Sequence, residues 1–347
     1  MNIKPIFLLF FIIFCTFSCE KSPQPRNIQK VTIQEINIDS ASIRAIGVQK
    51  DSSVFYATSK GTVGLVAFTG KILQEQQISY DTLTPHFRAI ASNGEYLFAL
   101  SIGNPALLYK LNNGRAELVY KEGHEKVFYD ALAFFDMKNG IAMGDPTDDC
   151  LSIILTNDGG TTWHKVPCSS LPKTKEGEAA FAASNGNIAI SGENAWLVTG
   201  GSHSRVFYTR DMGVTWQVFD SPITKGKQMT GIYSIDFYDS KNGIIFGGDW
   251  SDKKNTIANK AITNDGGKTW HLVADGREPG YKSAVRYVPD TEGKELFAVG
   301  STGVSFSNNS GKTWRKVSDE GYYTIRFVNK NVAWLAGKNR LGKMVLE

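Results

Sequence analysis

The chain has 347 residues, 38 Lys plus Arg against 34 Asp plus Glu, a hydrophobic fraction of 41% and 34 glycines. This is the composition of a foldable globular protein rich in turns, and it excludes a disordered tail. The net charge of +4 at pH 7 is scattered along the chain, which gives no case for a nucleic-acid groove or a broad anionic-membrane patch.

The N-terminus reads as a separate message. Lys4 precedes an apolar run over residues 6–14 and then Cys15-Thr16-Phe17-Ser18-Cys19, the pattern of an export signal too short for a permanent span of about 20 apolar residues. Ser18 directly before Cys19 resembles the bacterial lipobox, in which the signal is cut before the cysteine and its thiol is acylated. An ordinary cleaved secretory signal is the alternative. Residues 1–18 are therefore expected to be a lipoprotein signal peptide, Cys19 the lipidation site, and residues 19–27, with two prolines and three charges, a tether to the membrane. One domain is expected over residues 28–347.

Short β-like runs fill the rest. Residues 31–36 form an isolated strand; 43–48, 54–58, 63–68 and 72–76 form one set of four, and 88–92, 96–100, 106–111 and 116–120 another. Further strands at 131–135, 234–238 and 284–288 precede glycine-ended apolar strands at 139–144, 242–247 and 295–300, and 195–200 is a fourth of that kind. Each glycine-ended strand leads into one of four copies of Ser/Thr-x-Asp-x-Gly-x-Thr-Trp: Thr156–Trp163, Thr209–Trp216, Thr263–Trp270 and Ser307–Trp314, the last with Asn309 in place of aspartate. Their tryptophans lie 53, 54 and 44 residues apart, close to the length of a four-stranded propeller blade. Each copy is expected to be a hairpin turn in which the carboxylate of Asp158, Asp211 or Asp265, or the amide of Asn309, accepts backbone N–H bonds. Trp163, Trp216, Trp270 and Trp314 would pack beside the hairpins. Three strands, 323–328, 332–336 and 343–346, close the chain. Pairing them with 31–36 predicts an all-β, seven-bladed β-propeller in which the N-terminal strand completes the last blade, at about 46 residues per blade, with six or eight blades as alternatives.

These turns resemble the Asp-box, or BNR, repeat of sialidases and related propellers. The fuller cadence, GIAMG, GIIFG or LFAVG followed by TNDGGKTW, looks more like the photosystem II assembly and stability factor family and its bacterial relatives. That resemblance covers nearly the whole mature chain. It implies an exported or lipid-anchored propeller that binds another polypeptide during assembly.

The residues themselves favour binding over catalysis. The sialidase Phe/Tyr-Arg-Ile/Leu-Pro motif is represented only by Phe87-Arg88-Ala89-Ile90, which lacks the proline, and no Tyr/Glu nucleophile pair is assigned. His86, His124, His164, His203 and His271 have no ligand-like spacing and read as surface residues, and no cofactor fingerprint occurs. No metal or cofactor is expected. Turning the hairpin about Gly159 places Cys150 opposite Cys168, within disulfide reach. The first strands of the units carry Arg44, Arg88, Arg286 and Arg326, with Asp130 and Asp236 at comparable places. Arginines converging at the mouth of a central channel suit a carboxylate, a phosphate or an acidic peptide; the alternative is that they pair with the aspartates and backbone carbonyls and fill the channel. Arg44 and Arg88 stand one strand position out of register with Arg286 and Arg326, which argues against one shared face. Asp145-Pro146, His203 and Asp249-Trp250 form a second candidate rim, with Trp250 as an aromatic anchor. The expected role is a non-catalytic scaffold for a protein partner, held at the membrane by a lipid. A sialidase-like glycosidase or glycan-binding propeller is the alternative.

Overall fold

The computed structural model describes residues 24–347; the export signal, Cys19 and the start of the tether lie outside the described residues. The described chain is all-β, with one short 3-10 turn at Cys168–Ser170, and its sheets are antiparallel. Four sheets have four strands each, and two larger ones have seven and six.

The seven-stranded sheet arises because Val31–Val48 is one continuous strand, where the sequence suggested two. Its first half pairs with Lys338–Leu346, Val31 opposite Leu346 and Asn37 opposite Arg340. Its second half pairs with Val54–Thr58. The register breaks between Asn37 and Ser42, where Ser40 adopts a positive φ of 51°; the break lets one strand turn from one set of four to the next. The N-terminal strand thus joins the two ends of the chain within one sheet. In the six-stranded sheet, Glu178–Ala179 and Gly200–Gly201 extend the four strands that begin with Thr230–Phe237.

The first strands of successive sets lie side by side. Val31–Val48 touches Phe87–Ser92, followed in order by Tyr129–Phe134, Ile188–Ser191, Thr230–Phe237, Ala284–Tyr287 and Thr324–Asn329, which returns to Val31–Val48. Apolar residues between adjacent sheets form the core. Phe98, Leu100 and Leu108 of one sheet meet Leu132, Ile154 and Trp163 of the next, all buried, each contributing about 1.5–3 kcal/mol.

The four boxes close hairpins and share one hydrogen-bond pattern. Asp265 accepts from the Thr263 hydroxyl at 2.8 Å, the Lys268 and Thr269 amides at 3.1 and 3.0 Å, and the Thr269 hydroxyl at 2.7 Å. Burial pushes its carboxyl up, but these donors outweigh burial and hold it at about 2. Asp158 behaves alike. At the fourth box the Asn309 amide oxygen accepts from the Thr313 amide at 2.9 Å, while its nitrogen donates to the Thr313 hydroxyl. The box glycine is fixed by packing as well as conformation: Gly160 has a φ of 81°, and a Cβ there would lie 2.3 Å from the Phe98 ring of the preceding sheet. Trp163 packs edge-on against Phe134 at 5.8 Å and Phe98 at 6.2 Å. Trp216, Trp270 and Trp314 each donate their indole N–H to the carbonyl of the box glycine.

Cys150 and Cys168 are joined by a disulfide, Cα–Cα 5.5 Å, but not as cross-strand partners of a symmetric hairpin. The hairpin pairs Leu155 with His164 and Ile154 with Lys165, one residue off the expected register. Its second strand ends at Lys165, Cys168 opens the 3-10 turn, and Cys150 bridges Lys173 instead.

Candidate functional site

The stretch between Glu178–Ala179 and Ile188–Ser191 lies against several of the first strands. Its backbone is held from several sides. Arg88 donates to the Ala182 carbonyl at 3.1 Å and Arg44 to that of Ala183 at 3.2 Å. Thr324 donates to Ser184, Arg326 to the Asn185 carbonyl, and the Asn185 amide to Ile90, while Ile235 N–H reaches the Gly186 carbonyl. A backbone run with few neighbours of its own thereby satisfies its polar groups. Its entry is pinned by Glu178, whose buried carboxylate receives both the Arg205 guanidinium and the Thr199 hydroxyl.

The four arginines form two pairs with different surroundings. Arg286 lies 3.7 Å from Asp236 and donates to the Ile235 carbonyl at 2.8 Å; Arg326 is tied to Thr324, Ile325 and Asn185. Burial raises the Asp236 carboxyl above its ordinary value, with Arg286 pulling the other way. This pair matches the channel-filling alternative. Arg44 and Arg88 have no ion-pair partner among the described residues. Arg44 stacks over the Tyr323 ring at 4.2 Å, and Arg88 donates its Nε–H to His86 Nε2 at 3.1 Å. Burial, reinforced by Arg44, holds the Arg88 guanidinium at about 10. Burial and the Arg88 and Arg44 charges keep His86 down at about 4, so it is neutral at pH 7. His86 is thus a half-buried partner of Arg88 and not the surface residue expected, whereas His124, His164 and His271 are exposed.

Arg44 and Arg88 open into a cavity of about 420 Å³ whose wall includes Asp145, Phe181, Tyr233 and Trp250. Phe181 and Tyr233 stack at 4.0 Å, and Tyr281 meets Tyr233 edge-on at 4.7 Å. Trp250 is 47% exposed, with Lys253 Nζ 5.0 Å from its ring. The structure therefore brings together Arg44, Arg88, Asp145 and Trp250, and leaves Arg286, Arg326 and Asp236 outside this wall. His203 and Asp249 do not line it either; Asp249 accepts from the Ser251 amide at 2.8 Å in its own turn.

Asp145 accepts the Ala180 amide at 2.7 Å, and burial raises its carboxyl to about 6. Asp130 is fully buried, and neither carboxyl oxygen has a hydrogen-bond partner among the described residues. Burial and the nearby Asp145 charge push it well above the ordinary carboxylate range, against the pull of Arg88. Elsewhere, Asp148, Asp149 and Cys168 lie close enough to suggest a metal group, but the Cys168 sulfur is in the disulfide and offers no thiolate.

The sequence missed Phe181, Tyr233, Tyr281 and the 180–187 stretch itself. One signal was available: the intervals of 53 and 54 residues between box tryptophans exceed the third, 44, by nearly ten. That stretch lies in the first interval and the Trp250 loop in the second.

A BNR/Asp-box repeat model matches residues 261–272. No curated protein sequence matches the chain. Among solved structures, YCF48 bound to a D1 peptide is similar at a TM-score of 0.65 and 13% identity, over 92% of this chain and 100% of that one. The WD40 repeats of RRP9 give 0.64 and 13%, again over 92% and 100%. This is a BNR-type β-propeller fold. Virginiamycin B lyase from Staphylococcus aureus is similar to the same degree, TM-score 0.66 at 12% identity over 92% and 100%. One fold thus hosts a peptide binder and an enzyme, and function rests on the site.

Proposed function

We propose that the chain is a lipid-anchored, cell-envelope scaffold that binds a partner polypeptide through the Arg44–Arg88 cavity, and that its sheets form a closed seven-bladed ring. Support for the ring is the return of Thr324–Asn329 to Val31–Val48 after seven first strands. The anchor rests on Ser18-Cys19 and the apolar run before it. The binding role rests on one observation: two arginines without a carboxylate partner face a cavity walled by stacked aromatics and an exposed tryptophan. A partner carboxylate, from an acidic side chain or a chain terminus, would complete the guanidinium pairs, and the rings would hold its apolar neighbours. YCF48, bound to a D1 peptide, is a propeller of this kind with a peptide ligand.

One observation favours a glycosidase: Asp145, held at about 6, is paired with Asp130 beside the cavity. Asp130 is enclosed and does not line the wall, so only one carboxyl meets a sugar. Crosslinking the intact lipoprotein in cell envelopes, with wild type against Arg44→Met/Arg88→Met, tests the scaffold: specific partners should be lost in the variant. Turnover of sialyl or aryl glycosides that disappears in Asp145→Asn would establish the enzyme instead.

A further inference from the structure

Lys260 and Lys282 are both almost completely buried, at 0% and 1% exposure, and an ammonium taken from water needs acceptors for its three N–H donors. Lys260 has them: Asn259 Oδ1 at 2.6 Å and the carbonyls of Arg277 and Pro279 at 2.8 and 3.2 Å. Lys282 has one among the described residues, the Gly303 carbonyl at 2.6 Å. Lys282 also lines a cavity of about 750 Å³, larger than the Arg44–Arg88 cavity, into which Lys253, Lys254, Trp314, Arg315 and Lys316 project. Two acidic residues share that wall. Asp319 pairs with Lys316 at 2.7 Å, and Glu278 accepts the Gly280 amide at 3.1 Å. Cations outnumber anions there, and the most deeply buried of them has donors to spare.

We propose that this cavity binds a small tetrahedral oxyanion, a phosphate or sulfate ester, with Lys282 at its floor and Lys253, Lys254 and Arg315 around its mouth. An oxyanion supplies the acceptors that Lys282 lacks, and charge-assisted bonds in a partly dry site are the strong ones. The Trp314 ring gives the organic part of the ester an apolar surface. Burial and the Lys316 charge hold Lys282 at about 7, so a bound anion would fix a proton that the free site shares with solvent at neutral pH.

Calorimetric titration of the full chain in detergent with glucose 6-phosphate, glucose 6-sulfate and inorganic phosphate tests this. One-site saturable binding of at least one of the three is expected, and comparing the two esters tells which oxyanion the site prefers. Lys282→Met should weaken it at least about tenfold, as should Lys253→Gln/Lys254→Gln at the exposed mouth. His164→Gln, exposed on a hairpin of another sheet, should leave it unchanged. The bound anion should also protect Lys253 and Lys254 at the mouth from amine acylation, read by peptide mass. No saturable binding by any probe, or unchanged affinity in the Lys253→Gln/Lys254→Gln protein, overturns the proposal even if Lys282→Met fails to fold.

Discussion

Replacing Arg88 with methionine separates a binding arginine from a filling one. Holding the guanidinium at about 10 instead of 12.5 corresponds to about 3 kcal/mol of disfavoured charge, cut to about 2 kcal/mol because water still screens part of the group. Against that gain, Arg88→Met forfeits the bonds to the Ala182 carbonyl and to His86, about 1 kcal/mol each net. The methionine stem keeps most of the apolar packing of the arginine stem. The terms nearly cancel, so urea unfolding followed by tryptophan fluorescence should place the variant within about 1 kcal/mol of wild type. Affinity for an acidic partner segment should meanwhile fall about 10- to 100-fold, the effect of deleting a charged hydrogen bond.

A purely structural arginine gives the opposite pattern. Breaking a buried, compensated charge costs about 3–5 kcal/mol, with no selective effect on binding. A stability loss of that size in Arg88→Met, with partner capture reduced only as far as folding is, would refute the assignment of this side chain to a ligand.

Three further outcomes follow from the geometry. Asp265→Ala should lower stability by about 2 kcal/mol, since four partly solvated hydrogen bonds go at once, whereas Asp265→Asn should stay within about 1 kcal/mol because Asn309 already fills that role; equal losses in urea titrations would contradict the turn's account. Asp145 is raised to about 6 from an ordinary value of 3.8, so its contribution is fully present below pH 4 and is lost as pH rises through 6. Asp145→Asn should therefore flatten the stability profile between pH 4 and 6 and stabilise the protein at pH 7.5, and a steeper profile would reverse the sign. Cys150→Ser should expose one more titratable thiol and lower stability by about 3 kcal/mol for a disulfide of sequence separation 18; an unchanged thiol count would mean the bond does not form.

The repeat was readable because a box is a local object: threonine, aspartate, glycine and tryptophan within eight residues write their own hydrogen bonds. The N-terminal strand was also legible, since Val31 and its alternating neighbours needed a partner and the chain's end supplied one. What could not be read was set by distant chain. Arg44 and Arg326 sit on neighbouring first strands one register position apart; Arg326 finds three acceptors, and Arg44 one carbonyl and a tyrosine face. Each takes one carbonyl from residues 182–185, roughly 140 positions from either arginine, a contact with no mark in the local sequence, while Thr324 and Ile325 of its own strand supply the other two acceptors of Arg326. The cysteine pairing was reached from a symmetric hairpin that does not exist; the 3-10 turn after Pro167 brings the sulfurs together by another route.

The division between repeated and unrepeated sequence also bears on where function can reside. The boxes are alike in four places, and apart from the buried Trp163 indole N–H their groups are used mostly within the turn or against the neighbouring sheet. Such groups have little left to offer a ligand. Arg44, Arg88, Trp250 and the 180–187 stretch each occur once, and they meet in one cavity although they come from four separate parts of the chain. The fourth box also lends its tryptophan to a cavity wall, that of Lys282. A rigid repeat that satisfies itself leaves the recognition chemistry to the insertions it holds in place.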